Sequence, residues 1–114
     1  MLAKKIKLTG SKDYAKVQNE GQIIQSNSFG VAYLNREDSQ PSKFGFIVSN
    51  KIAKDAVDRN RLKRAMSEAV RLNTIRLVEG YDVVFLAKTS ILKVSTSDLM
   101  KEVVVSLQKI GLIK

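Results

Sequence analysis

The sequence has 114 residues, a formal net charge of +9 and neither cysteine nor histidine. This length predicts a single domain, residues 1–114, that can bury a hydrophobic core without disulfide bonds. The missing residue types exclude disulfides, thiolate zinc sites, serine–histidine triads and imidazole metal ligands. The excess of positive charge favours a nucleic-acid partner, with an anionic membrane surface as the alternative.

The sequence also carries information about the compartment. No window approaches the roughly 18 apolar residues that a membrane-spanning helix needs. The first residues include lysines but no apolar stretch after them, so we expect no signal peptide. The lack of cysteine suits a reducing environment. We therefore expect a cytoplasmic protein with no membrane partner.

The first half of the chain predicts one helix followed by two or three strands. A helix is expected over 12–20, with Ser11 as its N-cap and Gly21 as a natural residue to follow its end. Three segments rich in β-branched and aromatic residues then predict strands: 22–26, 29–34 and 44–49. The polar segment 35–43 predicts a hairpin loop between the last two of these strands.

The second half predicts a helix, a strand and a helix. A basic helix is expected over 55–73, a buried strand over 81–87 and a last helix from about Ser95 to Lys109. The resulting order, α-β-β-β-α-β-α, is typical of an α+β fold, a small α/β sandwich built on one sheet.

Two of the predicted strands alternate bulky residues with small ones. Phe44 and Phe46 fall on one face of their strand and Gly45 falls on the other. In the preceding strand, Gly30 and Ala32 alternate with bulky neighbours in the same way. A sheet face made of such small residues either lets a helix pack closely or leaves a shallow groove, and both interpretations stay open at this point.

The basic helix divides into two faces. Residues 59–64 read Arg-Asn-Arg-Leu-Lys-Arg, and on a helix Leu62 falls on an apolar arc together with Met66. The opposite arc contains Arg59, Asn60, Lys63, Arg64 and Arg71, with Ser67 in its middle. Arg61 lies at the border beside Glu68, and the spacing of Arg64 and Glu68 predicts an i,i+4 ion pair. Many such faces are simply solvated, but this excess of arginine suits phosphate oxygens.

The residues around this helix resemble a known family. Residues 49–64, followed by 68–71, are similar to the basic "RNR" region of the bacterial ribonuclease P protein subunit. The resemblance covers about residues 6–110 and includes three flanking features: Tyr14 and Gly21 around the first helix, the strand end 45–51, and the segment 80–84. On these motifs together the chain is identified as a member of that family.

The resemblance implies a fold and a function. The fold would be ribosomal protein S5 domain 2-like, with an unusual left-handed β-α-β crossover. The chain would assist the endonucleolytic 5′ maturation of tRNA, with catalysis by the RNA subunit and no catalytic residue in this chain. Mg²⁺ would be held mainly by the RNA and the substrate, with no protein metal site and no small-molecule cofactor. The expected partners are the catalytic RNA and the 5′ leader of precursor tRNA.

The resemblance also implies two sets of site residues. The RNA-binding set comprises Lys51, Lys54, Arg59, Asn60, Arg61, Lys63, Arg64 and Arg71. The leader cleft, between the first helix and the sheet, comprises Tyr14, Gln18, Ala32, Gly45 and Ser49. Two positions depart from the family pattern, because Gln18 replaces a usual aromatic residue and Ser67 replaces a usual arginine. Tyr14 is expected to stack on a base, with a plain core role as the alternative.

Two other function classes remain as alternatives. A ribosomal or general structured-RNA-binding protein of similar fold would bind unrelated structured RNAs equally well. A protein-only nuclease would cleave RNA with the RNA subunit removed. The sequence offers no clustered acids for such a nuclease, since Asp55 and Asp58 are better interpreted as residues at a helix start.

Overall fold

The computed structural model describes residues 2–114, which form one four-stranded sheet and three α-helices. The helices are α1 (Ser11–Glu20), α2 (Ala56–Leu72) and α3 (Thr96–Lys109). The strands are β1 (Gln22–Gln25), β2 (Phe29–Asn35), β3 (Lys43–Ile47) and β4 (Tyr81–Ala87). Short 3-10 helices cover Lys4–Ile6, Thr74–Arg76 and Thr89–Lys93. The predicted order α-β-β-β-α-β-α and the α+β class are therefore confirmed.

The sheet is mixed, in the order β1-β2-β4-β3. β2 pairs antiparallel with β1 and with β4, whereas β3 pairs parallel with β4. The helix α2 is thus the crossover between two adjacent parallel strands, and β3 lies at an edge of the sheet. Among residues 2–114, no helix is long and apolar enough to cross a membrane.

The predicted hairpin between β2 and β3 is wrong, because β4 lies between these two strands. The loop that connects them is instead tied to β4 through Arg36. Its guanidinium donates to the Asp82 carboxylate at 2.5 Å and to the Pro41 carbonyl at 2.9 Å. The strands β2 and β3 follow each other in the sequence but are separated in the sheet by β4. The Asp82 of β4 comes 46 residues after Arg36.

The two faces of the sheet carry different layers. α2 and α3 cover one face, and the main core between them includes the fully buried Phe29, Phe85 and Leu62. α1 covers the other face through Val17, which packs on the small, fully buried Ala32. The predicted alternation of bulky and small residues is confirmed. Each fully buried large apolar side chain, such as Phe29 or Leu62, contributes about 1.5–3 kcal/mol to stability.

The helix starts differ in part from the prediction. Ser11 is not the N-cap of α1, because it is already the first helical residue and Gly10 occupies the cap position. Gly10 has a φ of 89°, a left-handed conformation that favours glycine. For α3 the predicted capping is confirmed, since the Ser95 Oγ accepts a hydrogen bond from the Asp98 N–H at 3.1 Å.

The end of α1 shows why a glycine follows it. Gly21 has a φ of −81°, so it is not the left-handed C′ residue that the sequence pattern predicts. Its N–H donates to the Val17 carbonyl at 2.9 Å. A Cβ at this position would lie 2.5 Å from the carbonyl oxygens of both Val17 and Tyr33. Close backbone approach, and not backbone handedness, therefore requires glycine here.

Candidate nucleic-acid interface

The helix α2 presents its apolar residues to the core and most of its cations to solvent. Leu62 and Met66 are fully buried, whereas Arg61, Lys63 and Arg64 are exposed. Within residues 2–114, none of these three cations forms an ion pair or a side-chain hydrogen bond. They are therefore available to an anionic ligand.

Arg59 is already engaged by the protein, unlike those three cations. Its side chain is half-buried, and its Nη1 donates to the carbonyl oxygens of Ala53 and Lys54, each at 2.8 Å. The helical wheel predicts Arg59 on the outward-facing arc. The guanidinium instead turns back to the chain that enters the helix, because two carbonyl groups there lack helical partners.

Arg71 is also paired within the helix. Its Nε donates to the Glu68 Oε2 at 3.0 Å, and its Nη2 lies against the other carboxylate oxygen. The predicted i,i+4 pair between Arg64 and Glu68 is therefore wrong, since Glu68 takes the i,i+3 partner. This hydrogen bond holds the pKa of Glu68 below its usual value and the pKa of Arg71 above its usual value.

Ser67 does not lie on the solvent-facing arc as the helical wheel predicts. It is only 5% exposed, and its Oγ donates to the Arg64 carbonyl at 3.0 Å. This local hydrogen bond satisfies the hydroxyl, so the small side chain is tolerated in a buried position. The helix side that contains Ser67 therefore faces the edge of the sheet and not water.

A groove of about 450 Å³ lies between α2, the edge strand β3 and α1. We call it the β3 groove, and ten residues line it: Leu2, Lys7, Tyr14, Phe44, Gly45, Phe46, Asn60, Lys63, Arg64 and Ser67. Its volume falls in the usual range for ligand sites. Among these ten lining residues, all within the described range 2–114, three are cations and none is an anion, so the electrostatic character of the groove suits an anionic ligand.

Tyr14 and Gly45, both predicted for the leader cleft, are brought together in the β3 groove. A Cβ at Gly45 would lie 2.5 Å from the Cζ and 2.6 Å from the Cε1 of Tyr14, so the phenol ring lies directly over the glycine. Burial raises the pKa of the Tyr14 hydroxyl, although the Phe46 backbone acts in the opposite direction. The hydroxyl therefore keeps its proton to a higher pH than that of an exposed tyrosine.

The other predicted cleft residues lie elsewhere. Gln18 is exposed on α1 and lines a second, shallower depression together with Tyr14 and Ile47. Ala32 is fully buried beneath α1, so it cannot line an open cleft. Ser49 is exposed just beyond the end of β3, and its carbonyl accepts hydrogen bonds from the chain that follows. Of the two interpretations that the small residues left open, close packing of a helix and a shallow groove, close packing therefore holds at Ala32.

Several groove residues were not predicted. Phe46 lines the groove while its ring stacks on Phe85, at a centroid distance of 5.4 Å and an interplanar angle of 19°. Lys7 reaches the groove because its segment pairs with the edge of β3 at Phe44. Phe46 was assigned to the correct face by strand alternation, but no sequence signal indicates the pairing of Lys7. Among residues 2–114, no group of three or more acidic residues lies in metal-binding proximity.

Comparison with known proteins decides the family. A family model described as Ribonuclease P matches residues 2–111. The chain belongs to the ribonuclease P protein family. This membership confirms the resemblance seen in the sequence, and it gives the chain a role in tRNA 5′ processing as a component of an endoribonuclease complex.

Individual relatives agree with this assignment. The chain is 38% identical to the ribonuclease P protein component of Caldanaerobacter subterraneus subsp. tengcongensis over 91 residues, 80% of this chain and 77% of that protein. It is 40% identical to the protein component of Carboxydothermus hydrogenoformans over 85 residues, 73% and 72% of the two chains. The RNase P protein of Staphylococcus aureus shares the fold, with a TM-score of 0.89 and 20% identity, over 97% of this chain and 100% of that one.

Proposed function

We propose that this member of the ribonuclease P family binds the catalytic RNA through α2 and the segment before it, and holds the 5′ leader of precursor tRNA in the β3 groove. The observation that supports this most directly is the groove itself. Tyr14, Lys63 and Arg64 all line this one depression. A single-stranded nucleic acid needs both features, an aromatic surface for its bases and cations for its backbone.

The exposed cations give the electrostatic part of the proposal. Arg61, Lys63 and Arg64 make no ion pair within residues 2–114, so binding phosphate requires no internal contact to be broken first. Each phosphate that such a cation neutralises releases counterions from the RNA. Lys51 and Lys54 are exposed in the segment that precedes α2 and add two further positive charges there. This arrangement favours binding that weakens steeply as salt rises.

The leader part of the proposal depends on the β3 groove. Tyr14 is half-buried over Gly45, so part of its ring is open to a base. Asn60 lines the same groove and offers an amide to a base edge or a ribose hydroxyl. Gln18 cannot supply the second aromatic surface that the family pattern has one helical turn later. We therefore expect leader binding through one aromatic side chain and the groove cations.

We propose that the catalytic step belongs to the RNA subunit and to Mg²⁺ ions held mainly by the RNA and the substrate. The chemistry of those ions would activate the attacking water and stabilise the leaving oxygen. The residues of this chain would act before that step, by neutralising phosphates and by fixing the leader. The chain is thus proposed to raise substrate affinity and lower the Mg²⁺ requirement without contributing a reacting group.

The runner-up function is general binding of structured RNA with no role in processing. Both functions use the same cations, so affinity for one RNA does not separate them. The groove favours the processing role, because a depression with an aromatic side chain suits a single strand better than a duplex backbone. The two proposals differ in their dependence on the leader.

The test is reconstitution of precursor tRNA cleavage with the cognate RNA subunit at low Mg²⁺. The protein should raise cleavage of a precursor with a long 5′ leader more than that of a precursor with a leader of one nucleotide. Protein without the RNA subunit is the control, and it should leave the precursor intact. Equal affinity for unrelated structured RNAs, with no gain in cleavage, would support the runner-up instead.

A further inference from the structure

Arg59 joins the start of α2 to the segment that precedes it. We call residues 48–55 the connecting loop, which runs from the end of β3 to the start of α2. The Nη1 of Arg59 donates to the carbonyl oxygens of Ala53 and Lys54, both at 2.8 Å. One side chain therefore fixes two consecutive peptide groups at the point where the loop turns into the helix.

The rest of the connecting loop shows why this contact matters. Its first part is held by the Ser49 carbonyl, which accepts hydrogen bonds from the N–H groups of Ile52 and Ala53, each at 3.1 Å. At the helix start, Asp55 occupies the N-cap position but its side chain makes no capping hydrogen bond. A side-chain cap of the helix start is thus missing. The side-chain contact at this end of the loop comes from Arg59, which bonds two loop carbonyls and not the first helical N–H groups.

Two exposed lysines depend on the position of this loop. Lys51 and Lys54 lie within it, and within residues 2–114 neither ammonium group makes an ion pair or donates a hydrogen bond. The backbone carbonyl of Lys54 is itself one of the two groups that Arg59 holds. The direction in which Lys54 leaves the backbone is therefore set by Arg59.

We propose that Arg59 is a positioning residue, which binds the connecting loop and so presents Lys51 and Lys54 to RNA phosphates. This inference rests on the proposed function, because it assumes that α2 and the loop bind RNA. It divides the run 59–64 by role, with Arg61, Lys63 and Arg64 as direct phosphate contacts and Arg59 acting through its neighbours. A cation that only contacts phosphate would act independently of the loop lysines.

The experiment measures the affinity of the intact protein for the cognate RNA subunit over a series of NaCl concentrations. Arg59→Met removes the donor and keeps both the apolar stem and a good helix former, and Arg61→Met, at an exposed position outside the β3 groove, is the matched control. Both substitutions are also made in a Lys51→Ala/Lys54→Ala background. The thermal unfolding curve of each variant is measured first, and binding is then measured at a temperature at which all variants are folded.

The inference predicts unequal effects of the two substitutions. Arg61→Met should reduce the slope of log affinity against log salt by about 0.7–0.9, as one lost phosphate contact does. Arg59→Met should reduce it by more than that, because two lysines lose their positions. In the Lys51→Ala/Lys54→Ala background, Arg59→Met should have little further effect while Arg61→Met keeps its full effect. Such non-additivity is the mark of residues that act together.

A second measurement follows the loop itself. Amide hydrogen exchange at Ile52 and Ala53 in the free protein should speed up in Arg59→Met and stay unchanged in Arg61→Met. Equal, fully additive slope changes for the two substitutions would overturn the inference and leave Arg59 as a direct contact. The inference would also be overturned if the Lys51→Ala/Lys54→Ala protein had the same salt slope as the wild-type protein. That comparison can be made even if Arg59→Met fails to fold. Either result would leave the proposed function intact as long as the wild-type protein still raises cleavage.

Discussion

The phenol ring of Tyr14 lies directly over Gly45, at a distance that leaves no room for a side chain on the glycine. This relationship joins α1 to the edge strand β3 and forms one wall of the β3 groove. The strand conformation at position 45 would accept any residue, so it is the position of the Tyr14 ring and not the backbone that favours glycine. The groove therefore depends on a residue with no side chain.

Substitution of Gly45 by alanine should disturb the groove. The new methyl group would overlap the Tyr14 ring, and such overpacking costs about 1–3 kcal/mol of unfolding free energy. Leader-dependent affinity for precursor tRNA should fall with it, because the ring must move. The matched control is Tyr14→Ala/Gly45→Ala, which removes the overlap. Full stability of Gly45→Ala alone, by denaturant unfolding, would show that Tyr14 moves without cost.

The stability of the protein should depend on the protonation of Tyr14. Burial raises the pKa of its hydroxyl above the ordinary value of 10.0, so the folded state holds this proton more tightly than the unfolded state. The resulting stability is complete below pH 10 and is lost as the pH rises through the higher folded-state pKa. Comparison with Tyr14→Phe isolates this effect, since the substituted protein should lose less stability over that range. Parallel curves of unfolding free energy against pH would contradict it.

Removal of the Glu68 carboxylate should strengthen RNA binding. Glu68 pairs with Arg71, and Glu68→Gln would both delete an anion near the RNA surface and free the Arg71 guanidinium. The slope of log affinity against log salt should then become steeper by about 0.7–0.9, which corresponds to one added phosphate contact. Glu79→Gln removes the same charge from an exposed site outside α2 and is the control. Identical gains in both variants would indicate a general charge effect.

The apolar side of α2 should carry the stability of the fold. Leu62 is fully buried, so Leu62→Ala should reduce the free energy of unfolding by about 2–5 kcal/mol. Val57, on the same helix, is 77% exposed, and Val57→Ala should change it by less than about 0.5 kcal/mol. Denaturant unfolding of the two variants checks the orientation of the helix. Similar losses for both would mean that α2 is rotated from the orientation described above.

The features that the sequence predicted correctly are those set by local periodicity. The helical period alone assigns Leu62 and Met66 to the core, and strand alternation alone assigns Phe44 and Gly45 to opposite faces. The order of the elements follows from the same patterns. The class of the fold was therefore predictable without any knowledge of long-range contacts.

The features that the sequence did not predict depend on contacts between distant segments or on a choice between partners of nearly equal energy. Ser67 is buried because α2 packs against the edge of β3, which no wheel of one helix can show. Ion pairs of Glu68 with Arg64 and with Arg71 have almost equal free energies, and in the structure Glu68 pairs with Arg71. Arg59 turns to the backbone because the loop carbonyls of Ala53 and Lys54 are within reach. Each correction changes which cations are free to bind RNA.

The most direct measurement is cleavage of precursor tRNA by the cognate RNA subunit at low Mg²⁺, with either the wild-type protein or a variant in which Arg61, Lys63 and Arg64 are all replaced by methionine. The wild-type protein should raise cleavage, and the variant should fold normally but give little gain. Its RNA affinity should have a salt slope lower by about 2–3, as expected from three lost phosphate contacts. Full stimulation of cleavage by the variant would contradict the account.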